Sequence, residues 1–303
     1  MRRGAPRRMK IMLFSREISM FEFYQPSSLS ELLHLLEEGI PDTCLLAGGT
    51  DLLVEYRSGA RNISRLIRLA HLSELQDLKC EDGRIKLGAA LTYRTVERSS
   101  LLREKVPFLV QAAQSIGSPQ VRNLGTIGGN LVTASPAGDL APPLLVLEAQ
   151  LTLKKKSSSR EIPLSSFFMG PKRTLLDPQE VVTEISFALP PENCYQIFYK
   201  LGKRNAMAIS IASLAALGQA QRGFLTGIKI AVGSVAPTPL RLFHTEGLLQ
   251  GERLTQALLK EANRRAQEEI SPIGDIRGSV EYRREMVGVL LERALSEIAG
   301  EVL

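Results

Sequence analysis

The chain has 303 residues, of which 44% are hydrophobic and 23% charged. That length suits two domains with sizeable cores, and the composition is that of an ordinary globular protein. Five of its cations sit in the first ten residues, MRRGAPRRMK; beyond them 33 basic residues face 32 acidic ones, so no basic footprint belongs to the fold and nucleic-acid binding is excluded.

The opening segment, residues 1–20, reads as a disordered extension. Its only apolar stretch, IMLF, is too short for a signal-peptide core, and no run in the chain is long enough to span a bilayer. The expected location is cytoplasmic. Cys44, Cys80 and Cys194 are scattered without a C-x-x-C pair, and His34, His71 and His244 form no ligand spacing. Structural zinc, a disulfide framework and an iron–sulfur cluster held by this chain alone are all disfavoured.

Residues 26–38, PSSLSELLHLLEE, predict a helix capped by Ser28 or Ser30 and ended by Gly39 and Pro41. A short apolar strand, 43–49, runs into a glycine turn; DLLVEYRSG then continues as a helix or an extended segment, and 64–70 is the next strand. This αβαβ rhythm favours a small layered α/β unit. RIKLGAALTYRTVERS predicts strand, turn and a helix start near Thr92, and 101–116 holds a helix. The stretch 144–168 reads as a hairpin with KKKSSSR at its tip. PPENC, 190–194, is the best domain boundary, because two prolines stop an alternating strand. Beyond it, 206–220 and 225–235 read as strands and 252–270 and 279–300 as amphipathic helices, which suggests an α+β domain with helices on one face of a sheet.

Two glycine-rich segments stand out: LLAGGTDLL, 45–53, and GTIGGNLVTASPAGD, 125–139. Backbone N–H groups unshielded by side chains can form an anion-binding concavity. Thr50, Thr126, Asn130 and Ser135 add side-chain donors. Neither segment is a Rossmann G-x-G-x-x-G or a P-loop, and Ser135 is not in a G-x-S-x-G elbow. Asp139 either accepts from a ribose hydroxyl or caps a helix starting near Leu140; composition alone favours the cap. In FYKLGKRNAMAIS, Lys200, Lys203 and Arg204 are either the charged outer positions of a half-exposed strand, or the segment places a lysine beside a cofactor's anionic region.

With these motifs in order, the sequence resembles the FAD-binding, medium subunit of the molybdenum hydroxylases, of the xanthine dehydrogenase and carbon monoxide dehydrogenase type. The segments that carry the resemblance include GSPQVRNLGTIGGNLVTASPAGDLAPPLLVLEAQLTL, FFMGPKRTLLDPQEVVTEI, AVGSVAPTPLR and DIRGSVEYRREM, together with LLAGGTDLL and YKLGKRNAMAIS. They span roughly residues 21–298. The resemblance implies an α+β fold: a two-subdomain α/β FAD-binding domain of the PCMH (vanillyl-alcohol-oxidase-like) type over 21–190, split near 77, then a smaller α+β domain over 195–300.

It also implies that Leu45, Leu46, Ala47, Gly48, Gly49, Thr50, Asp51 and Leu52, with Thr126, Ile127, Gly128, Gly129 and Asn130, wrap the FAD diphosphate. Asp139 falls on an FAD-binding position, Val182 on an apolar flavin contact, and Lys200 where a lysine approaches the flavin. Ile116 stands where some relatives place an aromatic residue, and Tyr199 is an aromatic neighbour of the ring. Partners implied are a small subunit with two [2Fe–2S] clusters and a large molybdenum-cofactor subunit, in a heterotrimer. Electrons pass through FAD to NAD or a quinone. The alternative is a stand-alone FAD-dependent oxidase or dehydrogenase of a small molecule; no histidine is obviously placed as its base or flavin attachment.

Overall fold

The computed structural model describes residues 9–10 and 21–300. Of the expected N-terminal extension, Met9–Lys10 pairs antiparallel with Glu22–Tyr24, and the rest lies outside the described residues.

The first sheet runs in the order Met9–Lys10, Glu22–Tyr24, Arg65–Arg68, Thr43–Leu46. Arg65–Arg68 is parallel to both Glu22–Tyr24 and Thr43–Leu46. Helix Leu29–Glu37 supplies the crossover; Ser28 caps it by accepting from Glu31 N–H, and Leu32, Leu35 and Leu36 bury its inner stripe. Helix Leu52–Arg57 follows the glycine turn, which settles the open choice over DLLVEYRSG.

The second sheet is antiparallel, ordered Leu78–Glu81, Arg84–Gly88, Val181–Ala188, Gln150–Lys155, Ser158–Pro163. The lysine run forms a hairpin tip, as expected. Its strand does not start at Leu144, however: Leu144–Val146 belong to helix Ala141–Val146, all six residues of which are buried. A helix apolar on every side belongs inside a core rather than on a surface. The helical stretch near 101–116 is two helices, Ser100–Lys105 and Pro107–Gln114, because Pro107 has no N–H to continue the first and suits the first turn of the second.

The third sheet is antiparallel, ordered Tyr195–Leu201, Ala212–Gln221, Phe224–Gly233, Leu240–Arg241. The strand expected over 206–220 begins only at Ala212; residues 202–211 are an irregular excursion. One face packs Ala212, Leu214, Ala216, Ile230 and Val232 against helices Gln256–Glu269 and Val280–Ala299. The alternate residues Phe198, Ala215, Leu217 and Ala231 join the core of the preceding domain, where helix Ala141–Val146 packs against the same strands. Helices therefore flank both faces, and the near-continuous apolar runs follow from burial on both sides.

Candidate functional site

The two glycine-rich segments meet. Thr43–Leu46 delivers the chain into the turn at residues 47–51, where Gly49 adopts φ +70°, and helix Leu52–Arg57 carries it away. A Cβ on Gly48 would lie 2.1 Å from the Leu124 carbonyl oxygen and 2.8 Å from Gly125 Cα. Only glycine permits that approach.

The second segment is a helix rather than a loop over most of its length. Thr126 is the N-cap of helix Ile127–Thr133 and accepts from Gly129 N–H at 3.1 Å. Its glycines have different reasons. A Cβ on Gly125 would stand 2.5 Å from the Tyr93 ring, and one on Gly128 2.7 Å from the Ala89 carbonyl oxygen. A Cβ on Gly129 would meet only the Thr126 hydroxyl within 4 Å, at 2.8 Å. Gly48 and Gly128 let backbone layers touch, Gly125 lets the Tyr93 ring pack against the chain, and Gly129 keeps an open wall.

Between the segments lies a cleft of about 620 Å3. Leu45, Ala47, Gly48, Gly49, Thr50, Asp51 and Leu52 line one side, and Tyr93, Thr126, Gly129, Val132 and Thr133 the other. Leu46, Ile127, Gly128 and Asn130 stand behind this lining. The donor supply of the two sides differs. Ile127 N–H donates to Leu91 O, Gly128 N–H to Ala89 O and Asn130 N–H to Thr126 O, so the helix start consumes its own donors. Among the described residues, no backbone acceptor takes the N–H groups of Gly48, Gly49, Thr50 or Asp51. The turn, rather than the helix, carries the donors left for an anion.

Charges around the cleft are mixed. Lys172 pairs with Glu55, and Arg61 lies 3.7 Å from Glu55. Desolvation in the cleft, with Glu55 adding to it, raises the Asp51 carboxyl above its usual range against the pull of Lys172 and a hydrogen bond with Thr133.

Asp139, Lys200 and Ile116 gather elsewhere, at the seam between the first domain and the third sheet. Lys200 Nζ donates to Asp139 Oδ2 at 2.7 Å and to Ser115 O at 2.9 Å. Ser210 Oγ donates to the other Asp139 oxygen. Burial pushes the Asp139 carboxyl up, while Lys200 and Ser210 hold it down. Asp139 is no helix cap: the capping position is Leu140, and no side chain bonds to the start of helix Ala141–Val146. Lys200 is likewise not an outward strand position, since its side chain is 11% exposed. Lys203 and Arg204 lie past the strand end and donate to Ile276 O and Met207 O.

Ile116 is half-buried beside this cluster, and its carbonyl accepts from Arg122 Nη1 at 3.2 Å. Val182 is buried in the second sheet. Tyr199 faces the other way, with its hydroxyl 2.7 Å from Glu297 on the last helix.

Two residues were missed by sequence reasoning. Tyr93 is 4% exposed and underlies Gly125; desolvation raises its phenol, opposed by a hydrogen bond with Asn130 and reinforced by the charges of Asp51 and Asp139. It thus lies between the cleft and the seam cluster. Asn130 Oδ1 is buried without a partner, which marks a place where a polar group would be welcomed. Ser210, the second residue, sits 71 positions from the carboxylate it serves, beyond any local pattern.

The sequence and the fold match those of known proteins. Residues 19–190 match the family model described as the FAD binding domain in molybdopterin dehydrogenase, and 197–298 that of the CO dehydrogenase flavoprotein C-terminal domain. The xanthine dehydrogenase FAD-binding subunit of Escherichia coli O157:H7 is 30% identical over 285 residues, covering 92% of this chain and 97% of that protein. The nicotinate dehydrogenase FAD-subunit of Eubacterium barkeri is 32% identical over 289 residues, covering 93% and 97%. Among solved structures, carbon monoxide dehydrogenase from Hydrogenophaga pseudoflava superimposes with a TM-score of 0.88 at 31% identity, covering 91% of this chain and 96% of that one. The paired glycine segments, the α+β architecture and these likenesses agree: the chain belongs to the family of FAD-binding subunits of molybdopterin dehydrogenases and is a flavoprotein component of an oxidoreductase.

Proposed function

We propose that this chain accepts electrons on FAD from the [2Fe–2S] clusters of a small partner subunit and passes them to NAD or a quinone. Substrate oxidation then falls to a molybdenum-cofactor subunit, and the three form a cytoplasmic heterotrimer. The FAD-binding domain runs over 21–190, with two subdomains dividing near 77, and the C-terminal domain over 195–300. The chain has three cysteines in all, fewer than the four thiolates that one such cluster takes. That arithmetic supports placing the clusters in a partner.

The observation that carries the reading is the convergence of the 47–51 turn and helix Ile127–Thr133 on one cleft, with backbone donors on the turn and a bare glycine wall opposite. That chemistry suits a diphosphate. Gly48, Gly49, Thr50, Asp51, Thr126 and Gly129 would hold the diphosphate; Leu45, Leu46, Ala47, Leu52, Ile127, Gly128 and Asn130 shape and support that cradle. Lys200 would present a fixed cation to the cofactor, held by Asp139, with Ile116 and Val182 as apolar surroundings. When bound, FAD supplies the electron chemistry; the residues bind, orient and exclude water.

The test is spectroscopic. Purified protein loaded with FAD should show an oxidised-flavin spectrum that bleaches on reduction, and Gly129→Asp should lose the flavin while keeping its far-UV circular dichroism. A protein that takes up no FAD, or a variant that holds it as the parent does, removes the assignment.

A further inference from the structure

Lys172 stands in a conformation that a lysine rarely takes. Strands Phe168–Gly170 and Arg173–Thr174 are joined by a two-residue corner, Pro171–Lys172, and Lys172 occupies it with φ +57°. Proline suits the first position of such a corner, but the second ordinarily goes to glycine or asparagine. The conformation is held in place: Lys172 N–H donates to Ala134 O at 2.9 Å, and Ala134 is itself left-handed, at φ +46°, where helix Ile127–Thr133 ends. Left-handed residues other than glycine persist where their surroundings fix them, and they gather at ligand sites.

The corner is thereby fastened to one wall of the cleft, and its side chain reaches the other. The Lys172 ammonium pairs with Glu55 on helix Leu52–Arg57, while the lysine side chain stays 64% exposed, at the cleft's open edge. Among the described residues that line the cleft, the cations are Arg61 and Lys172, against the carboxylates of Asp42, Asp51, Glu55, Asp177 and Glu180. Glu180 is answered from outside by Arg160. Both lining cations lie against Glu55. Burial raises the Asp51 carboxyl, Glu55 adds to the rise and Lys172 opposes it, so both charges are felt at the turn that carries the free N–H groups. An anion entering there meets more negative charge than positive, and it needs a cation to move toward it.

We propose that Lys172 is a cofactor-binding residue that meets the phosphates of FAD, and that Glu55 holds its ammonium until they arrive. The proposal rests on the reading of the cleft as the diphosphate site. The exchange trades one anion for another: the three N–H donors of the ammonium leave a carboxylate for phosphate oxygens. It asks only for side-chain rotation, because the backbone of the corner is already fixed. Arg61 remains beside Glu55, so the carboxylate is not stranded.

The experiment is a titration of full-length apoprotein with FAD, read by flavin fluorescence at several salt concentrations. FAD carries its negative charge on the diphosphate, so the salt-dependent part of binding reports the cations that meet it. Lys172→Asn should raise Kd about tenfold and flatten its dependence on salt. The apoprotein of that variant should melt no lower than wild type, because asparagine suits the left-handed corner. Lys172→Arg should recover most of the affinity. Glu55→Gln, by releasing the ammonium, should tighten binding about threefold, the scale of one exposed ion pair. The proposal is overturned if Lys172→Asn binds FAD as wild type does, or loses affinity with an unchanged salt dependence. It is equally overturned if Glu55→Gln weakens binding, since the pair would then only brace the cleft. If wild type takes up no FAD, the assignment of the cleft fails and takes this proposal with it. If wild type binds FAD and Gly129→Asp does not, an unaltered Lys172→Asn strikes this proposal alone.

Discussion

Lys200 and Asp139 form an ion pair of 2.7 Å between side chains that are 11% and 7% exposed, and this pair joins the first domain to the first strand of the third sheet. A buried pair is costly to assemble, but removing one partner costs more than the pair itself contributes, because it strands a charge.

Lys200→Met should therefore destabilise the protein by about 3–5 kcal/mol at neutral pH. Asp139→Asn in the same chain should restore part of that loss. Without Lys200 the carboxyl rises further above its unfolded value, so the folded state holds its proton more tightly. The deficit should then grow as pH rises through the unfolded carboxylate range and shrink in acid. Urea titrations at several pH values read this directly, and purely additive single and double variants would refute the coupling.

The glycines of the second segment should separate cleanly. Gly128→Ala drives a Cβ to 2.7 Å from the Ala89 carbonyl oxygen and should cost about 1–3 kcal/mol by overpacking. Gly129→Ala gains helix propensity worth up to about 1 kcal/mol, but its Cβ would stand 2.8 Å from the short Thr126 hydroxyl that caps Gly129 N–H, and disturbing that cap should cancel the gain. Thermal melts of the two apoproteins should show a clear drop for Gly128→Ala and little change for Gly129→Ala.

Thr126 ends the helix that lines the cleft. Thr126→Ala removes the oxygen that caps Gly129 N–H and should cost about 1 kcal/mol, whereas Thr126→Ser should recover most of it. Equal melting temperatures for the two variants would show that the cap is immaterial.

Asp275 gives the opposite pH signature. Burial raises its carboxyl, but the Arg277 N–H and the guanidinium groups of Arg277 and Arg283 outweigh this and hold it well below the usual range. A depressed carboxyl stabilises above the unfolded pKa and loses that contribution as pH falls toward the folded one. Asp275→Asn should lower the melting temperature most near neutrality, and the gap from wild type should close below about pH 4.

The order of elements and the lysine hairpin tip were legible from local signatures, and the meeting of the two glycine segments from the family resemblance. What was illegible depended on partners distant in sequence. Asp139 looked like a helix cap because Leu140 begins an apolar run; Lys200, 61 positions away, and Ser210 gave no pattern linking them to it. Helix Ile127–Thr133 was hidden by its glycines, which depress helix propensity, and Thr126 was the signal that announced it. The glycines themselves looked alike in sequence, yet Gly128 serves packing and Gly129 leaves a surface open, a distinction made by Ala89 across the fold. The late start of the strand at Ala212 was masked because small apolar residues suit a strand and a snug irregular loop equally.

The third sheet, which sends alternate side chains into two different cores, has a consequence for how this molecule comes apart. Peeling away the C-terminal hundred or so residues would wet Phe198, Ala215, Leu217 and Ala231 at once, and would leave Glu148 without Lys229 and Arg241. Neither piece has a finished surface where the other now lies. The two domains should melt as one calorimetric unit, and a chain cut at the prolines after Ala188 should yield halves that are sticky alone and soluble only when refolded together.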